Sequence, residues 1–255
     1  MWTFCLRSLV REYGWRFVRR IALPHPMRTL SAFRKAGELD MSGECVDVPW
    51  FATNAPDGGG DGVAAAPSIV AAGFCLKPLS PPCPSGRANH ECVYLENLAG
   101  SVATDIPTPC RPCVVRKIGT RALRAGSAFY VMTSARDILD DVFVPAVARR
   151  TFTTGLFVLC RYSFQPFALG MLASGVSGRL FPLDAGDCRD YRTWLLADRG
   201  IKDEQTVVDD PRMIAIGRLL DAGAPPSRES RFERRGRVFH PAPAVPASPL
   251  SVELP

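Results

Sequence analysis

The stretch SAFYVMTSARDILDDVFVPAVARRTFTTGLFVLC, residues 127–160, decides the fold class of this chain. It opens with an apolar run at 127–132 and closes with another at 155–160, and each has the length and composition of a buried strand. Between the two runs, Ser134 and Asp137 have the spacing of a helix-capping pair, so a helix is expected after the first strand. A strand, a helix and a second strand in this order are typical of parallel strands with a helix packed across them.

The alternation of strands and helices continues on both sides of this stretch. A short helix is expected before it, at 117–125, and another helix opens near Pro166. Beyond these lie a candidate strand at 179–183 and two further helices. We therefore expect an α/β domain over 114–223, with a small parallel sheet flanked by helices.

The segment at 69–113 differs from this domain because it is dense in cysteine and proline. Proline at this density excludes long helices and central strands, and the segment has little apolar periodicity with which to build a core. A bound metal would supply the missing constraint, since thiolate–metal bonds contribute folding free energy directly. We therefore expect an irregular metal-binding segment. Its candidate ligands are Cys75, Cys83, Cys92, Cys110 and Cys113.

Cys110 and Cys113 form a CxxC motif, in which two intervening residues let both thiolates face one metal from a tight turn. Prolines flank Cys83 as well as this pair, a feature also seen at iron–sulfur sites. A four-iron, four-sulfur cluster is the favoured cofactor. Zinc is the alternative, disfavoured because zinc sites usually contain two CxxC-type pairs. Two other interpretations stay open: buried structural thiols, and a redox pair at Cys110 and Cys113.

His90 is the one histidine near these cysteines. It is a candidate metal ligand, a hydrogen-bond donor to a ligand, or a proton carrier. The alternative is that it is a solvated loop residue.

A second candidate site lies at the edge of the predicted sheet, because ligands bind beyond the carboxyl ends of parallel strands. Helix N-termini there favour a thiolate or an anionic ligand, and Arg161 is suited to pair with a carboxylate or phosphate. We expect a small-molecule or anionic ligand at this edge. The alternative is that Ser134 and Asp187 are only helix caps and Cys160 only a core residue. The candidate binding residues are Ser134, Cys160, Arg161, Asp187 and Cys188.

The two ends of the chain differ from its middle in charge. Residues 1–37 contain eight basic residues and one acidic residue, a net charge of +7, whereas residues 38–223 carry −3 and the remainder +2, which gives the total of +6. A middle with net negative charge argues against a nucleic-acid-binding core. Residues 1–21, within an N-terminal region of 1–52, have a basic amphipathic pattern that predicts a helix packed on the domain. Binding to an acidic protein or a membrane surface, and a targeting role, are alternatives for this helix.

Two segments are predicted to lack regular structure. The stretch at 53–68 is rich in Gly, Ala and Pro, which is typical of a linker. The stretch at 224–255 contains repeated Pro and Ala with a cluster of arginines and predicts a disordered tail.

The nine cysteines bear on the compartment of the protein. Arginines interrupt the apolar residues at the N-terminus, so it does not resemble a signal peptide, and cytoplasmic ligand or redox thiols are expected rather than disulfides. We therefore expect a cytoplasmic metalloprotein whose cysteine-ligated, iron–sulfur centre serves electron transfer or a small-molecule reaction. The pattern does not decide whether it is an enzyme. The alternative is a non-catalytic, zinc-stabilised interaction module that binds an acidic partner or a membrane surface.

Overall fold

The computed structural model describes residues 2–9, 11–49, 66–98, 106–222 and 232–241. The predicted linker at 53–68 lies outside these residues except for its last three, and the predicted tail lies outside them except for 232–241. Over the described residues the chain forms one seven-stranded sheet with helices on both faces, which confirms the α/β class.

The strands are β1 (Val46–Val48), β2 (Ile69–Gly73), β3 (Ala128–Met132), β4 (Thr154–Leu159), β5 (Ser177–Pro182), β6 (Phe232–Arg235) and β7 (Val238–Pro241). They are arranged in the order β1-β5-β4-β2-β3-β7-β6, so β2 is the middle strand of the sheet. The expectation that the whole of 69–113 is irregular, without a central strand, is wrong for 69–73, because these residues precede the first proline of the segment, Pro78. The strands β2 to β5 are parallel, whereas β1, β6 and β7 pair antiparallel with their neighbours. The expected small parallel sheet is therefore present only as the centre of a larger mixed sheet, because strands from both ends of the chain extend it.

Three of the four parallel strands, β2, β3 and β4, are mainly apolar runs that the helices cover on both faces. All five residues of β3 are buried, as are five of the six in β4, which explains why these runs do not alternate with polar residues. The chain passes from β2 to β3 on one side and then to β4 on the other side of β2. The connections therefore diverge between β2 and β4, which is the position where open α/β sheets bind ligands.

The helices are α1 (Trp2–Leu9), α2 (Glu12–Phe17), α3 (Pro26–Glu38), α4 (Val93–Leu98), α5 (Val114–Arg124), α6 (Ala135–Ile138), α7 (Val144–Arg149), α8 (Phe164–Ser174), α9 (Tyr191–Asp198) and α10 (Asp210–Asp221). On one face of the sheet, α3 packs on α8 through small buried residues such as Ala32, Ala36 and Ala168, which let the two helices approach closely. On the other face, α5 and α10 bury Ile118 and Leu220 against each other and the sheet.

Within 1–21 the structure describes two α-helices, α1 and α2, rather than the single helix expected there, and α3 follows them. A π-helical turn, Val18–Ala22, follows α2 and buries Ile21 completely. Arg16 on α2 donates a hydrogen bond of 3.1 Å to Asp140, so this region is packed on the domain. Among the described residues, no helix has the length and apolar character needed to cross a membrane.

Part of the predicted disordered tail instead completes the sheet. The strands β6 and β7 form a hairpin around Gly236, and β7 pairs antiparallel with β3, with Phe239 opposite Phe129. Phe239 is 1% exposed, and its ring centroid lies 6.5 Å from that of Phe129. The average composition of 224–255 conceals the short apolar strands within it, and burial of their side chains offsets the entropy of ordering the hairpin.

We expect Phe239→Ala to lower the free energy of unfolding by about 3 to 5 kcal/mol, because it removes a fully buried ring and leaves a cavity. Urea denaturation monitored by circular dichroism measures the change. His240→Ala, at the half-buried neighbouring position, is the control and should cost less than about 1 kcal/mol. Equal free energies of unfolding for the two variants would show that β7 is not packed in the sheet.

Candidate functional site

Three cysteines follow the carboxyl ends of three neighbouring parallel strands. Cys75 comes after β2, Cys160 directly after β4, and Cys188 in the loop after β5. The parallel arrangement brings them to one edge of the sheet, at the point where the chain connections diverge. We call them the edge thiols. A Cβ on Gly73 would lie 3.1 Å from the Cys75 sulfur, so glycine at the end of β2 leaves room for this thiol.

Cys160 and Cys188 are in direct contact. The Cys188 thiol donates a hydrogen bond to the Cys160 sulfur, and the Ser163 hydroxyl lies 2.9 Å from the same sulfur. These hydrogen bonds, that of Cys188 first, lower the pKa of Cys160 although burial opposes them. The same contact and burial raise the pKa of Cys188. Of the two, Cys160 is therefore the thiol that loses its proton more readily.

Two further groups surround this pair. Burial raises the pKa of Cys75, and a hydrogen bond with Thr206 partly offsets the increase. The Lys202 ammonium lies 4.0 Å from the Cys188 sulfur, with 9% of its side chain exposed. This cation favours the thiolate forms of Cys188 and Cys75, because it lowers the pKa of both.

Of the other residues expected at the edge, Arg161, Asp187 and Ser134 have structural partners. The guanidinium of Arg161 donates to the carbonyl oxygens of Met41 at 2.6 Å and Gly43 at 3.1 Å, so it holds the segment before β1. The backbone N–H of Arg161 donates to the Asp187 carboxylate at 3.1 Å, while burial raises the pKa of that carboxyl. Ser134 caps α6 by accepting from the Asp137 N–H at 3.1 Å.

A cavity of about 430 Å³ opens onto the edge thiols. We call it the edge pocket. Its floor is the carboxyl edge of the sheet, with the three cysteines and Lys202, and the N-terminal helices contribute Phe4, Phe17 and Phe33 to its walls. Most of its remaining lining is apolar, including Phe74, Met132, Leu159, Phe167, Leu183 and Trp194. A cavity lined mainly by apolar side chains with a few polar groups is the usual form of a small-molecule site.

The remaining candidate metal ligands lie together elsewhere. We call Cys83, Cys92, Cys110 and Cys113 the four-cysteine group. Cys92 precedes α4, and Cys110 and Cys113 lead into α5, with the Cys113 N–H donating to the Cys110 carbonyl at 3.2 Å. Cys83 acts electrostatically on each of the other three, and Cys113 acts on Cys92 and Cys110.

Burial raises the pKa of Cys92 to about 11, and it also raises the pKa of Cys110 and of Cys113. In the part of the chain that the structure describes, no set of three or more His, Cys, Asp or Glu side chains forms a ready metal-binding geometry. The four cysteines are neighbours, and the metal centre stays a prediction.

Lys77 lies beside the four-cysteine group and is 1% exposed. Its ammonium donates to the Gly86 carbonyl at 3.1 Å and to the Asn89 carbonyl and side-chain oxygens at 2.8 and 2.6 Å. Burial lowers the pKa of Lys77, and the charges of Cys83, Cys92 and Cys113 act in the opposite direction. The ammonium is thus a buried cation facing the thiols of this group.

His90 is bound to the sheet rather than to the cysteines. Its Nδ1 lies 2.8 Å from the Val131 carbonyl oxygen, which can only accept, so Nδ1 carries a proton. Its Nε2 lies 3.0 Å from the Thr133 hydroxyl and 3.3 Å from the Asp137 carboxylate. Asp137 is also paired with Arg237, so His90 belongs to a polar network at the end of β3.

Sequence reasoning did not select Lys77 and Lys202, although a signal for them exists. Only four of the 31 basic residues in the chain are lysines, and these two are the ones that lie beside cysteines. Where a chain otherwise uses arginine, lysine at a buried position indicates that a compact ammonium is needed there.

The comparisons with known proteins found no match to a protein family, to a curated protein or to a solved structure. Function must therefore be argued from the two groups of thiols and their surroundings.

Arg87 connects the two groups, and we expect Arg87→Lys to destabilise the protein by about 2 to 4 kcal/mol. Its guanidinium donates to the carbonyls of Cys75 at 2.8 Å, Lys77 at 3.3 Å and Glu204 at 2.8 Å, and also to that of Lys202. A lysine cannot replace this planar set of donors. Thermal unfolding measures the loss, with Arg124→Lys, at an exposed site on α5, as the control. A melting temperature equal to that of the control would contradict the linking role.

Proposed function

We propose that this chain is a metalloprotein in which Cys83, Cys92, Cys110 and Cys113 hold one metal centre, favoured to be a four-iron, four-sulfur cluster. The observation that carries the proposal is the buried ammonium of Lys77 facing these thiols. The centre would serve electron transfer or a small-molecule reaction at the neighbouring edge pocket.

The argument begins with the cost of burying Lys77. Taking an ammonium out of water costs several kcal/mol after relaxation, and its three hydrogen-bond acceptors are neutral amide oxygens. Neutral acceptors offset this cost only in part, so a nearby negative charge is favourable. Four thiolates on a divalent metal or a four-iron cluster supply that charge, whereas four neutral thiols do not.

The donor set fits such a group. Four cysteines match the ligand number of both tetrahedral zinc and cubane iron–sulfur centres. The raised pKa values of Cys92, Cys110 and Cys113 mean that these three thiols keep their protons at neutral pH without a metal, so binding would release protons and be weaker at low pH. Cys75, the fifth candidate from the same segment, belongs to the edge thiols and is left out of this ligand set.

A redox-active metal is favoured over zinc because of what lies beside the group. Cys75 lies in a short turn and Lys77 directly after it, so the main chain leads from the edge pocket to the proposed centre within three residues. An iron–sulfur cluster supplies one-electron transfer when it is bound. Thiolate ligation and the free state of the eight described cysteines both suit a reducing compartment, for which we propose the cytoplasm.

Anaerobic purification with metal and sulfide analysis tests the proposal. We expect a brown protein that contains iron and acid-labile sulfide, and we expect Cys83→Ser and Cys110→Ser to lose both, because each removes one of four ligands. Cys45→Ser, outside both groups of thiols, is the control and should retain them. A colourless protein with one zinc would favour the non-catalytic, zinc-stabilised module, and a metal-free protein would reject both.

The role of Lys77 gives a separate prediction. We expect Lys77→Met to weaken metal retention against a chelator by about tenfold to a hundredfold, because an outer-sphere cation next to the thiolates is lost. Lys117→Met, at an exposed position on α5, is the matched control. Circular dichroism of both variants verifies the fold. Equal metal retention in the two folded variants would mean that the ammonium does not balance the charge of a metal centre.

A further inference from the structure

We propose that Cys160 and Cys188 form a dithiol–disulfide exchange site, in which Cys160 attacks an apolar disulfide bound in the edge pocket and Cys188 resolves the product. These thiols are distinct from the four-cysteine group, so the inference does not rest on the proposed metal centre.

The contact between the two thiols is the first observation. Cys160 begins the connection after β4 and Cys188 lies in the loop after β5, and parallel pairing of these strands brings the two residues together although they are far apart in sequence. Both residues also line the same cavity, and two thiols in contact there need little backbone movement to form a disulfide. A nucleophile for simple acyl transfer would need only one of them.

The surroundings of each sulfur assign its role. Cys160 accepts from the Cys188 thiol and lies 2.9 Å from the Ser163 hydroxyl, so its thiolate is stabilised and it is the attacking group. Cys188 keeps its proton until the first step is complete. Lys202, 4.0 Å from Cys188, then stabilises the thiolate that Cys188 must become in order to attack.

The edge pocket indicates the class of substrate. Cys160 and Cys188 both line it, and its other lining residues are mainly aromatic and aliphatic. Its volume of about 430 Å³ falls in the range of small-molecule sites, roughly 300 to 1,000 Å³. An uncharged disulfide with apolar substituents therefore fits, while a charged, peptide-like disulfide would lose its hydration on entry.

The exchange balances in atoms and electrons. The Cys160 thiolate forms a bond to one sulfur of the substrate, whose S–S bond breaks, and the first substrate thiolate leaves. Cys188 loses its proton to solvent or to the leaving thiolate and attacks the Cys160 sulfur, so that the mixed disulfide breaks and the second substrate thiolate leaves. The substrate gains two electrons and becomes two thiols, and the protein pair loses two electrons and becomes a disulfide.

Reaction of the reduced full-length protein with dipyridyl disulfide, followed by the absorbance of released pyridine thione, tests the proposal. We expect a rapid phase that releases two thiones per chain, and peptide mapping should find a disulfide between Cys160 and Cys188. In Cys188→Ser the rapid phase should release one thione and leave a pyridyl adduct on Cys160. In Cys160→Ser the rapid phase should be slowed at least about tenfold.

Cys75→Ser is the control within the same pocket and should keep the rapid phase and the disulfide. A rapid phase that survives in Cys160→Ser, or a disulfide of Cys160 with Cys75, would overturn the assignment.

If Cys160→Ser does not fold, alkylation of the native protein by iodoacetamide decides instead. The lowered pKa of Cys160 means that it should be alkylated first, at a pH where ordinary thiols are protonated, and first reaction at another cysteine would overturn the proposal.

Oxidised glutathione tests the substrate class. For each disulfide, the rate of reaction with Cys160 is divided by its rate of reaction with a free thiol. This relative rate should be at least about tenfold lower for oxidised glutathione than for dipyridyl disulfide, because burying the charged groups of glutathione is unfavourable. Equal relative rates would overturn the apolar class of substrate. Metal content is unchanged in Cys160→Ser if the two groups of thiols are independent, so failure of this inference and failure of the proposed metal centre give different results.

Discussion

Hydrogen bonding of β2 on both of its sides is the constraint on which the rest of the structure depends. From Ile69 onward β2 pairs with β3 on one side and with β4 on the other. The connection from β2 to β3 therefore runs to one side of β2, and the connection from β3 to β4 crosses to its other side. The divergence opens space beyond the ends of β2 and β4, and Cys75 and Cys160 follow those two ends. The pairing of β4 with β5 then brings the Cys188 loop to the same edge.

The two groups of thiols are close neighbours because β2 is followed by a very short turn. Cys75 lies in this turn and Lys77 directly after it, so one residue faces the edge pocket and the other faces the four-cysteine group. Arg87 holds this arrangement by donating to carbonyls of the turn and of residues 202 and 204. A single guanidinium thereby couples the cysteine-rich segment to the loop that contains Lys202.

The surroundings of the two groups suit different chemistry. In the four-cysteine group burial raises the pKa of Cys92, Cys110 and Cys113, and a fully buried cation faces them, which suits thiolates that form only when a metal replaces their protons. At the sheet edge, hydrogen bonds to Cys160 outweigh burial and lower its pKa, which suits a thiol that loses its proton readily without a metal.

The sequence by itself determined the buried strands β3 and β4, the cap at Ser134 and the shared edge of Cys160 and Cys188, because these follow from local periodicity and the geometry of parallel strands. Only the tertiary structure decided that Phe232–Arg235 and Val238–Pro241 complete the sheet, since the stability of a short strand depends on the strand with which it pairs. Only the tertiary structure separated Cys75 from the other cysteines of its segment and brought Lys77 and Lys202 to the thiols. Which groups share a buried environment depends on contacts between residues far apart in the chain, and the electrostatic energy of a site depends on that environment rather than on spacing in the sequence.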